Sequence, residues 1–262
     1  GFEFNQVRFV SQVSHSYFFR HAGYLLFVPF VNVFIIILFA GRFKGNMNNR
    51  QNRPGQNGII GVVTIREGTR VKEIVLASAS PRRKALLGQI GLIFTVDTNT
   101  EEDNGLPETE PHRLARAISL RKAESAAYRY PDAVIIAADT FGVIDGRIIG
   151  KPHSEAEARQ MLASLSGRPH TVITGFTVLD SLTKKTVSRS VETTVFMKSL
   201  TREEIDAYVA TGEPLDKAGA YAIQGMGAMF VERIDGDYYN VMGLPLCSLT
   251  ETLKEFGITA LQ

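Results

Sequence analysis

The sequence predicts an α/β protein with a central mixed sheet, and three observations carry that prediction. Short apolar runs at residues 74–77, 93–96 and 133–138 have the length and composition of buried strands. Segments with helical start signals separate these runs. Further along, residues 171–179 and 186–197 flank a polar turn, as the two strands of a long β-hairpin do. Alternating strands and helices followed by a hairpin favour a mixed sheet with helices on its faces.

The first strand leads into a helix that should begin at Pro81. The preceding turn is rich in serine, with Ser78 and Ser80, and Ser80 is placed to cap the helix. Arg82 and Arg83 then fall in the first turn, where the helix dipole disfavours a cation by about 0.3–1 kcal/mol. That placement is reasonable if an anion binds there, because a strand, a tight turn and a helix N-terminus together describe a phosphate site. The alternative is two solvated arginines on an ordinary helix.

The remaining helices and turns follow from local signals. A long helix is predicted over residues 109–128, and helices over 154–165 and 201–210 each begin with a Ser/Thr-x-x-Glu capping pattern. Asp-Gly dipeptides at 145–146 and 235–236 predict two tight turns. The single cysteine, which excludes an internal disulfide framework, is expected to be a small buried residue of the last helix.

The first 72 residues differ in charge from the rest of the chain. They carry nine lysines and arginines against two acidic residues, whereas residues 73–262 carry twenty against twenty-five. The net charge of +2 therefore combines a basic leader with a mildly acidic body, and it does not argue for a nucleic-acid partner. We predict a leader over residues 1–72 and a separate α/β domain over residues 73–262.

Within the leader, residues 22–40 carry no charge and are long enough to cross a bilayer. If they form a membrane anchor, the denser positive flank between Arg42 and Arg53 would keep the body in the cytoplasm. The alternative is that the leader is not native, because the chain begins with Gly1 and its first methionine is Met47. Membrane association is expected only under the first alternative, and a cytoplasmic body under both.

Carboxylates follow two of the predicted strands. The strand at 133–138 ends in Asp139 and Thr140, and in open α/β sheets ligands bind beyond the carboxyl ends of the strands. Asp139 is therefore a candidate metal ligand or general base, and the alternative is a structural role in an Asx turn or as a helix cap. Glu101 follows the preceding strand, and two facing carboxylates could hold Mg²⁺ or Mn²⁺. A solvated acidic loop is the alternative for Glu101.

Cationic and amide side chains complete the set of candidates. Lys151 lies between glycine and proline, which hold it extended, so it could present a point charge to a phosphate or simply be a surface lysine. Lys122 lies late in the long helix, and its position does not decide whether it faces inward. Residues 216–225, from Asp216-Lys217 to Gln224 and the glycine after it, have no long period and suit close approach to a flat ligand. Gln224 could read a base edge through its amide.

Taken together, these segments resemble the Maf family, the septum-formation-inhibitor-like nucleoside triphosphate pyrophosphatases. The resemblance covers about residues 73–262. It rests on seven ordered segments: 77–83 (Ala-Ser-Ala-Ser-Pro-Arg-Arg), 138–140 (Ala-Asp-Thr), 150–152 (Gly-Lys-Pro), 165–175 (Leu-Ser-Gly with His170, Thr174 and Gly175), 216–221 (Asp-Lys-Ala-Gly-Ala-Tyr), 223–225 (Ile-Gln-Gly) and 236–245 (Gly-Asp-Tyr-Tyr-Asn-Val-Met-Gly-Leu-Pro).

The resemblance implies an elongated, two-lobed Maf/ITPase-like fold with a central mixed twisted sheet and a deep cleft, often as a homodimer. It implies hydrolysis of a nucleoside triphosphate to the monophosphate and pyrophosphate. Asp139 would be the general base, and Glu101 would help to hold a divalent metal, Mg²⁺ or Mn²⁺, with it. The substrate would be bound by Ser78, Ser80, Arg82, Arg83, Lys122, Thr140, Lys151, Asp216, Lys217 and Gln224.

Three of these positions, Arg82, Thr140 and Gln224, resemble the subgroup that acts on dTTP and UTP. The resemblance therefore predicts pyrimidine triphosphates as substrates, with removal of non-canonical or excess nucleotides as the role. The competing class of function is a non-catalytic nucleotide-binding regulator of cell division and septum formation. A protein that only binds nucleotides does not require Asp139, so the sequence favours the enzyme.

Overall fold

A seven-stranded mixed sheet positions the candidate residues. The computed structural model describes residues 33–39, 60–66, 72–99 and 110–260, with backbone only for the first two ranges. Its strands are β1 (Val33–Phe39), β2 (Ile60–Arg66), β3 (Glu73–Ala77), β4 (Thr95–Asp97), β5 (Ala133–Ile144), β6 (Arg147–Ile149), β7 (Pro169–Asp180), β8 (Thr186–Met197) and β9 (Val231–Gly236). Its α-helices are α1 (Pro81–Gln89), α2 (Pro111–Ala127), α3 (Glu155–Leu165), α4 (Arg202–Val209), α5 (Tyr238–Met242) and α6 (Leu246–Lys254).

The strand order is β4-β3-β5-β7-β8-β9, and β6 folds back onto β5. Strand β3 is parallel to both of its neighbours, and the remaining pairs are antiparallel. The predicted α/β class with a central mixed sheet is confirmed. The predicted end of the third strand is wrong, because β5 continues through Asp139 and Thr140 to Ile144. These two polar residues pair with Gly175 and Thr174 on β7, and that pairing extends the strand past its apolar part.

The sheet carries two large apolar cores, which give the protein two lobes. One core lies around β3, β5, α1 and α6 and contains Leu76, Ile136, Phe176 and Leu249, each fully buried. The other lies under α3 and α4, beside the far ends of β7 and β8, and contains Leu162, Leu165, Val195, Val209 and Phe230. Because Arg82 and Arg83 lie on α1, and Asp139 and Thr140 lie on β5, the first lobe positions these four candidates.

Local sequence signals placed several boundaries correctly. Ser80 caps α1, since its Oγ accepts from the backbone N–H of Arg83 at 3.4 Å, and Pro81 is the first helical residue. Thr201 and Glu204 form the reciprocal capping box of α4. The Asp-Gly turn at 145–146 joins β5 to β6 with positive φ at both residues, as the dipeptide predicts.

Three local predictions were wrong. Ser154 caps α3, but the Glu157 carboxylate accepts from the N–H of His153 rather than that of Ser154, so the capping box is incomplete. The Asp-Gly pair at 235–236 ends strand β9 instead of forming a tight turn. Cys247 is exposed in the first turn of α6, because the buried side of that helix is occupied by its leucines.

Part of the apolar segment 22–40 lies within the described residues. Val33–Phe39 forms a strand that pairs antiparallel with Ile60–Arg66. Among the described ranges there is no helix with both the length and the hydropathy needed to span a membrane.

Candidate active site

The candidate site lies at a gap in one edge of β5. Strand β3 pairs with β5 only as far as Ala77 opposite Ala137, and β6 begins to pair only at Gly142. Between these points, residues 138–141 have no strand neighbour on that side within the described part of the chain. In α/β sheets a ligand binds where neighbouring strands part in this way. The site is therefore set by where β3 ends, and not by the end of β5.

Arg83 crosses this gap and ties α1 to the sheet. Its Nη1 donates to the carbonyl of Ala138 at 2.8 Å and to Ser78 Oγ at 3.3 Å. Its Nε donates to the carbonyl of Gly243 at 2.7 Å, and its Nη2 donates to Thr140 Oγ1 at 2.9 Å. A guanidinium has five N–H donors, so these four bonds leave one for a ligand. Burial lowers the pKa of Arg83, and the nearby Asp139 carboxylate opposes that shift.

Thr140 belongs to a hydrogen-bond chain with a fixed direction. Thr174 Oγ1 donates its one proton to the carbonyl of Asn240 at 2.9 Å. Thr140 Oγ1, which lies 2.9 Å from Thr174 Oγ1, must therefore be the donor between the two hydroxyls. Since Thr140 also accepts from Arg83, its hydroxyl is already engaged with protein on both sides.

Asp139 projects to the opposite face of the sheet from Thr140, toward α2. Its Oδ1 lies 2.6 Å from Lys122 Nζ, and the two side chains are 22 % and 12 % exposed. The helix can approach because Gly175 faces Asp139 on β7, where an added Cβ would lie 2.2 Å from the Ala115 backbone. Lys122 thus reaches inward, which its position in the sequence could not decide.

Arg82 is placed differently from its neighbour Arg83. It is partly exposed and makes no side-chain hydrogen bond with any described residue. It lies near the loop that carries Asp216 and Lys217, which pair with each other. The hydrogen bond from Lys217 is the main cause that lowers the pKa of Asp216, and the charge of Arg82 contributes to the same shift. The N-terminal turn of α1 therefore faces a second charged group.

The remaining candidates lie on adjoining turns. Lys151 is exposed, and the carbonyl of Gly150 accepts from the N–H of Gly219 at 3.0 Å, which joins this segment to the turn after Lys217. Gln224 is exposed within a turn closed by the N–H of Gly225 and the carbonyl of Ala222, 3.0 Å apart.

The structure thus places the candidate residues predicted from the sequence in two bonded groups and, for the others, on the adjoining turns. Ser78, Ser80, Arg83 and Thr140 are linked around the gap, and Lys122 pairs with Asp139 behind it. Glu101 lies outside the described residues. The roles of all these residues toward a substrate stay predictions.

Two residues of the site, Tyr208 and Glu213, were missed at the sequence level, and Thr174 was noted only as part of a segment that carries the family resemblance. Thr174 fixes the direction in which the Thr140 hydroxyl donates its hydrogen bond. Glu213 accepts hydrogen bonds from the Tyr208 hydroxyl and from the backbone of the loop that carries Gln224. A weak signal existed for Glu213, because glycines two residues apart at Gly225 and Gly227 indicate a backbone packed closely against something. Nothing local pointed to Tyr208.

Among the described residues, the Asp139 carboxylate suits a metal ion that is also bound by phosphate oxygens, rather than one held by protein side chains alone. No group of three or more metal-ligating side chains occurs within residues 72–99 and 110–260. Asp139 offers Oδ2, which makes no hydrogen bond with a described residue, while Oδ1 is held by Lys122. Mg²⁺ is commonly bound through one or two carboxylates, substrate phosphates and water. These residues fit such an ion.

The fold and site define an α/β protein whose sheet gap is lined by guanidinium and ammonium groups around a carboxylate, the chemistry of a phosphate-ester or anhydride site. Residues 73–256 match the family model described as Maf-like protein. A dTTP/UTP pyrophosphatase of Dictyoglomus turgidum is 48% identical over 191 residues, covering 72% of this chain and 99% of that protein. The chain belongs to the Maf-like protein family.

Further relatives agree with that assignment. A dTTP/UTP pyrophosphatase of Pelotomaculum thermopropionicum is 47% identical over 191 residues, covering 73% of this chain and 100% of that protein. Among solved structures, the Ham1 protein of Staphylococcus aureus matches with a TM-score of 0.42 and 17% identity, covering 71% of this chain and 100% of that one. The family assignment rests on the sequence relatives and not on this structural likeness.

Proposed function

We propose that this protein hydrolyses nucleoside triphosphates, chiefly dTTP and UTP, to the monophosphate and pyrophosphate. The Lys122–Asp139 pair beside the sheet gap carries the proposal, because it holds a carboxylate in place with an ammonium group, and the charge of Arg83 is also close to that carboxylate. The relatives named dTTP/UTP pyrophosphatase support the choice of substrate, since they align over nearly their whole length.

In the proposed reaction, Asp139 orients a water molecule for attack on the α-phosphorus and accepts its proton. The bond from the α-phosphorus to the α,β-bridging oxygen breaks, and pyrophosphate leaves with the electron pair. Arg82, Lys151 and Lys217 bind the triphosphate oxygens, where their charges stabilise the negative charge that develops. Arg83 contributes mainly by holding the protein groups around the gap in place, since most of its N–H donors are hydrogen-bonded to protein oxygens.

A divalent cation, Mg²⁺ or Mn²⁺, is part of the proposal. Asp139 would hold it, with Glu101 as the second ligand that the sequence predicts. When bound, the ion would neutralise charge on the triphosphate. A homodimeric state also belongs to the proposal, on the family resemblance alone. A cytoplasmic location and the division of the chain at residue 72 belong to it on the charge pattern of the sequence.

The test is a substrate panel with two product assays. The protein is incubated with dTTP, UTP, dCTP, CTP, ATP and GTP in the presence of Mg²⁺ or Mn²⁺, and both pyrophosphate and orthophosphate are measured. We expect pyrophosphate and monophosphate in equal amounts, fastest from dTTP and UTP. Orthophosphate as the direct product would show cleavage at the γ-phosphate and overturn the proposed reaction.

The same panel separates the enzyme from the competing regulator. A non-catalytic regulator of cell division would bind nucleotide in equilibrium dialysis and release no product from any of the six. Asp139 is partly buried and paired although nucleotide binding alone does not require it, and this observation favours the enzyme.

A further inference from the structure

Glu213 and its hydrogen-bond partner Tyr208 hold the turn that carries Gln224 from both sides. Glu213 Oε1 accepts from the hydroxyl of Tyr208 at 2.8 Å. The same carboxylate accepts from the backbone N–H groups of Met226 and Gly227, each at 3.1 Å. In the chain, only Gly225 lies between Gln224 and these two residues.

The other flank of the turn is tied to the same pair of side chains. The N–H of Ala222 donates to the Tyr208 hydroxyl at 3.2 Å, so this hydroxyl donates to Glu213 and accepts from the backbone before Gln224. The Tyr208 ring packs edge-on against Phe230, with centroids 5.0 Å apart, which fixes the position of the hydroxyl. The chain is therefore held two residues before Gln224 and again two and three residues after it.

The glycines on this turn fit the same arrangement. A Cβ added at Gly225 would lie 2.4 Å from Glu213 Oε1, and one added at Gly227 would lie 2.7 Å from the Tyr208 hydroxyl. A residue with a Cβ at either position would have to move away, so the two glycines allow the backbone to approach the Glu213 carboxylate and the Tyr208 hydroxyl this closely. Burial raises the pKa of the Glu213 carboxyl, but the hydrogen bonds from Tyr208, Met226 and Gly227 outweigh it, so the pKa lies below its ordinary value. Glu213 is thus an ionised acceptor at neutral pH.

We infer that Glu213, acting through Tyr208 and the backbone on either side of Gln224, is a positioning residue for nucleobase selection. It touches neither phosphate nor base; it fixes the turn from which the Gln224 amide reaches the base. The inference rests on the proposed function, because selection among nucleotides has meaning only if the protein hydrolyses them. A positioning role differs from a general structural role, since its loss should change selectivity far more than turnover.

The first test replaces Glu213 with the isosteric amide. Glu213→Gln keeps the volume but turns an N–H₂ group toward groups that themselves donate. We expect KM for UTP and dTTP to rise about tenfold, and the preference for UTP over CTP and ATP to fall by a similar factor. We expect kcat to change by less than about threefold. The matched control is Glu232→Gln, an exposed glutamate on β9 that makes no side-chain hydrogen bond or ion pair with a described residue.

A double-variant comparison makes the test specific. In a Gln224→Ala background, Glu213→Gln should produce no further loss of selectivity, because the residue it positions is already gone. If Glu213→Gln fails to fold, Tyr208→Phe provides the same test, since it keeps the ring contact and removes the hydroxyl that links Glu213 to Ala222.

The outcomes separate this inference from the function on which it rests. Wild-type protein that releases no pyrophosphate from any nucleotide overturns the proposed function, and the inference with it. If the wild-type protein is active but Glu213→Gln leaves its selectivity unchanged, the inference alone is overturned. The same holds for Tyr208→Phe if that is the variant that folds. Additive losses of selectivity in the double variant would also contradict it.

Discussion

Arg83 Nη1 lies 2.8 Å from the carbonyl oxygen of Ala138, at the point where β3 stops pairing with β5. A sheet edge exposes carbonyl groups that need donors, and here a side chain from the next helix supplies one. The adjacent Arg82 makes no such bond with a described residue and faces the loop that carries Asp216. Two consecutive arginines thus have different tasks: Arg83 ties the gap together, and Arg82 is available to a ligand.

The first prediction contrasts these two arginines. Arg83→Ala should lower the free energy of unfolding by about 2–4 kcal/mol, because it leaves the carbonyls of Ala138 and Gly243 without their donor. Arg82→Ala should change that free energy by less than about 0.5 kcal/mol and raise KM for UTP about tenfold. Urea unfolding and steady-state kinetics measure the two effects. Equal stability losses in both variants would contradict the division of tasks.

The second prediction concerns the contact that lets α2 reach the sheet. Gly175→Ala should cost at least about 3 kcal/mol of stability, because its Cβ would lie 2.2 Å from the backbone of Ala115, which cannot move aside as a flexible side chain can. The control is Gly88→Ala in α1, where nothing lies within 4 Å of the added Cβ. That variant should be stabilised by about 0.4–1 kcal/mol. Thermal unfolding of both variants is the measurement, and a well-folded Gly175→Ala protein would contradict the packing described.

The third prediction concerns pH and the buried His170. Burial lowers the pKa of His170 to about 4. The Nε2 atom of His170 lies 2.9 Å from the hydroxyl oxygen of Tyr221. Between the folded pKa of about 4 and the unfolded value of 6.5, the unfolded chain binds more protons, so acid destabilises the fold in this window. The contribution of His170 is fully present above about pH 6.5 and is lost as the pH falls toward 4, by up to about 3 kcal/mol.

The comparison that isolates this contribution uses His170→Gln. The difference in unfolding free energy between pH 7 and pH 5 should be smaller in His170→Gln than in the wild type, whereas the exposed His153→Gln should match the wild type. Other titrating groups cancel in the comparison. An unchanged pH dependence in His170→Gln would show that this histidine is not the group responsible.

The fourth prediction tests whether Lys122 orients Asp139. Lys122→Met removes the ammonium 2.6 Å from Asp139 Oδ1 and keeps most of the aliphatic volume. We expect kcat to fall about 10- to 100-fold, because a carboxylate that is free to rotate spends less time in the reactive orientation. Lys122→Arg should recover part of the loss. Full kcat in Lys122→Met would assign the lysine a different role.

Local signals in the sequence were sufficient for the caps of α1 and α4 and for the hairpin. Ser80 with Pro81, and Thr201 with Glu204, act within one helical turn, so their consequences are visible in the sequence. The continuation of β5 was not visible, because Asp139 and Thr140 are polar and are held in the strand by partners on β7 some 35 residues away. Pairing over such a distance has no local pattern.

The division between Arg82 and Arg83 could not be predicted for the same reason. The residues are adjacent and chemically identical, and what separates them is that Arg83 faces Gly243, which is 160 residues further along the chain. Glu213 likewise shows its role only once Met226 and Gly227 fold back onto it. The motifs in the sequence predicted which residues belong to the candidate site, and the tertiary contacts show which of those residues contact one another.

The most direct test of the account is the Asp139→Asn variant, compared with the wild type and with Asp235→Asn, an exposed aspartate on β9. The measurement is pyrophosphate release from UTP and dTTP at saturating nucleotide, with unfolding curves to confirm an intact fold. We predict that kcat falls at least about 10³-fold in Asp139→Asn and stays at the wild-type level in Asp235→Asn. A folded Asp139→Asn protein that releases pyrophosphate at the wild-type rate would contradict the assignment of Asp139 as the base.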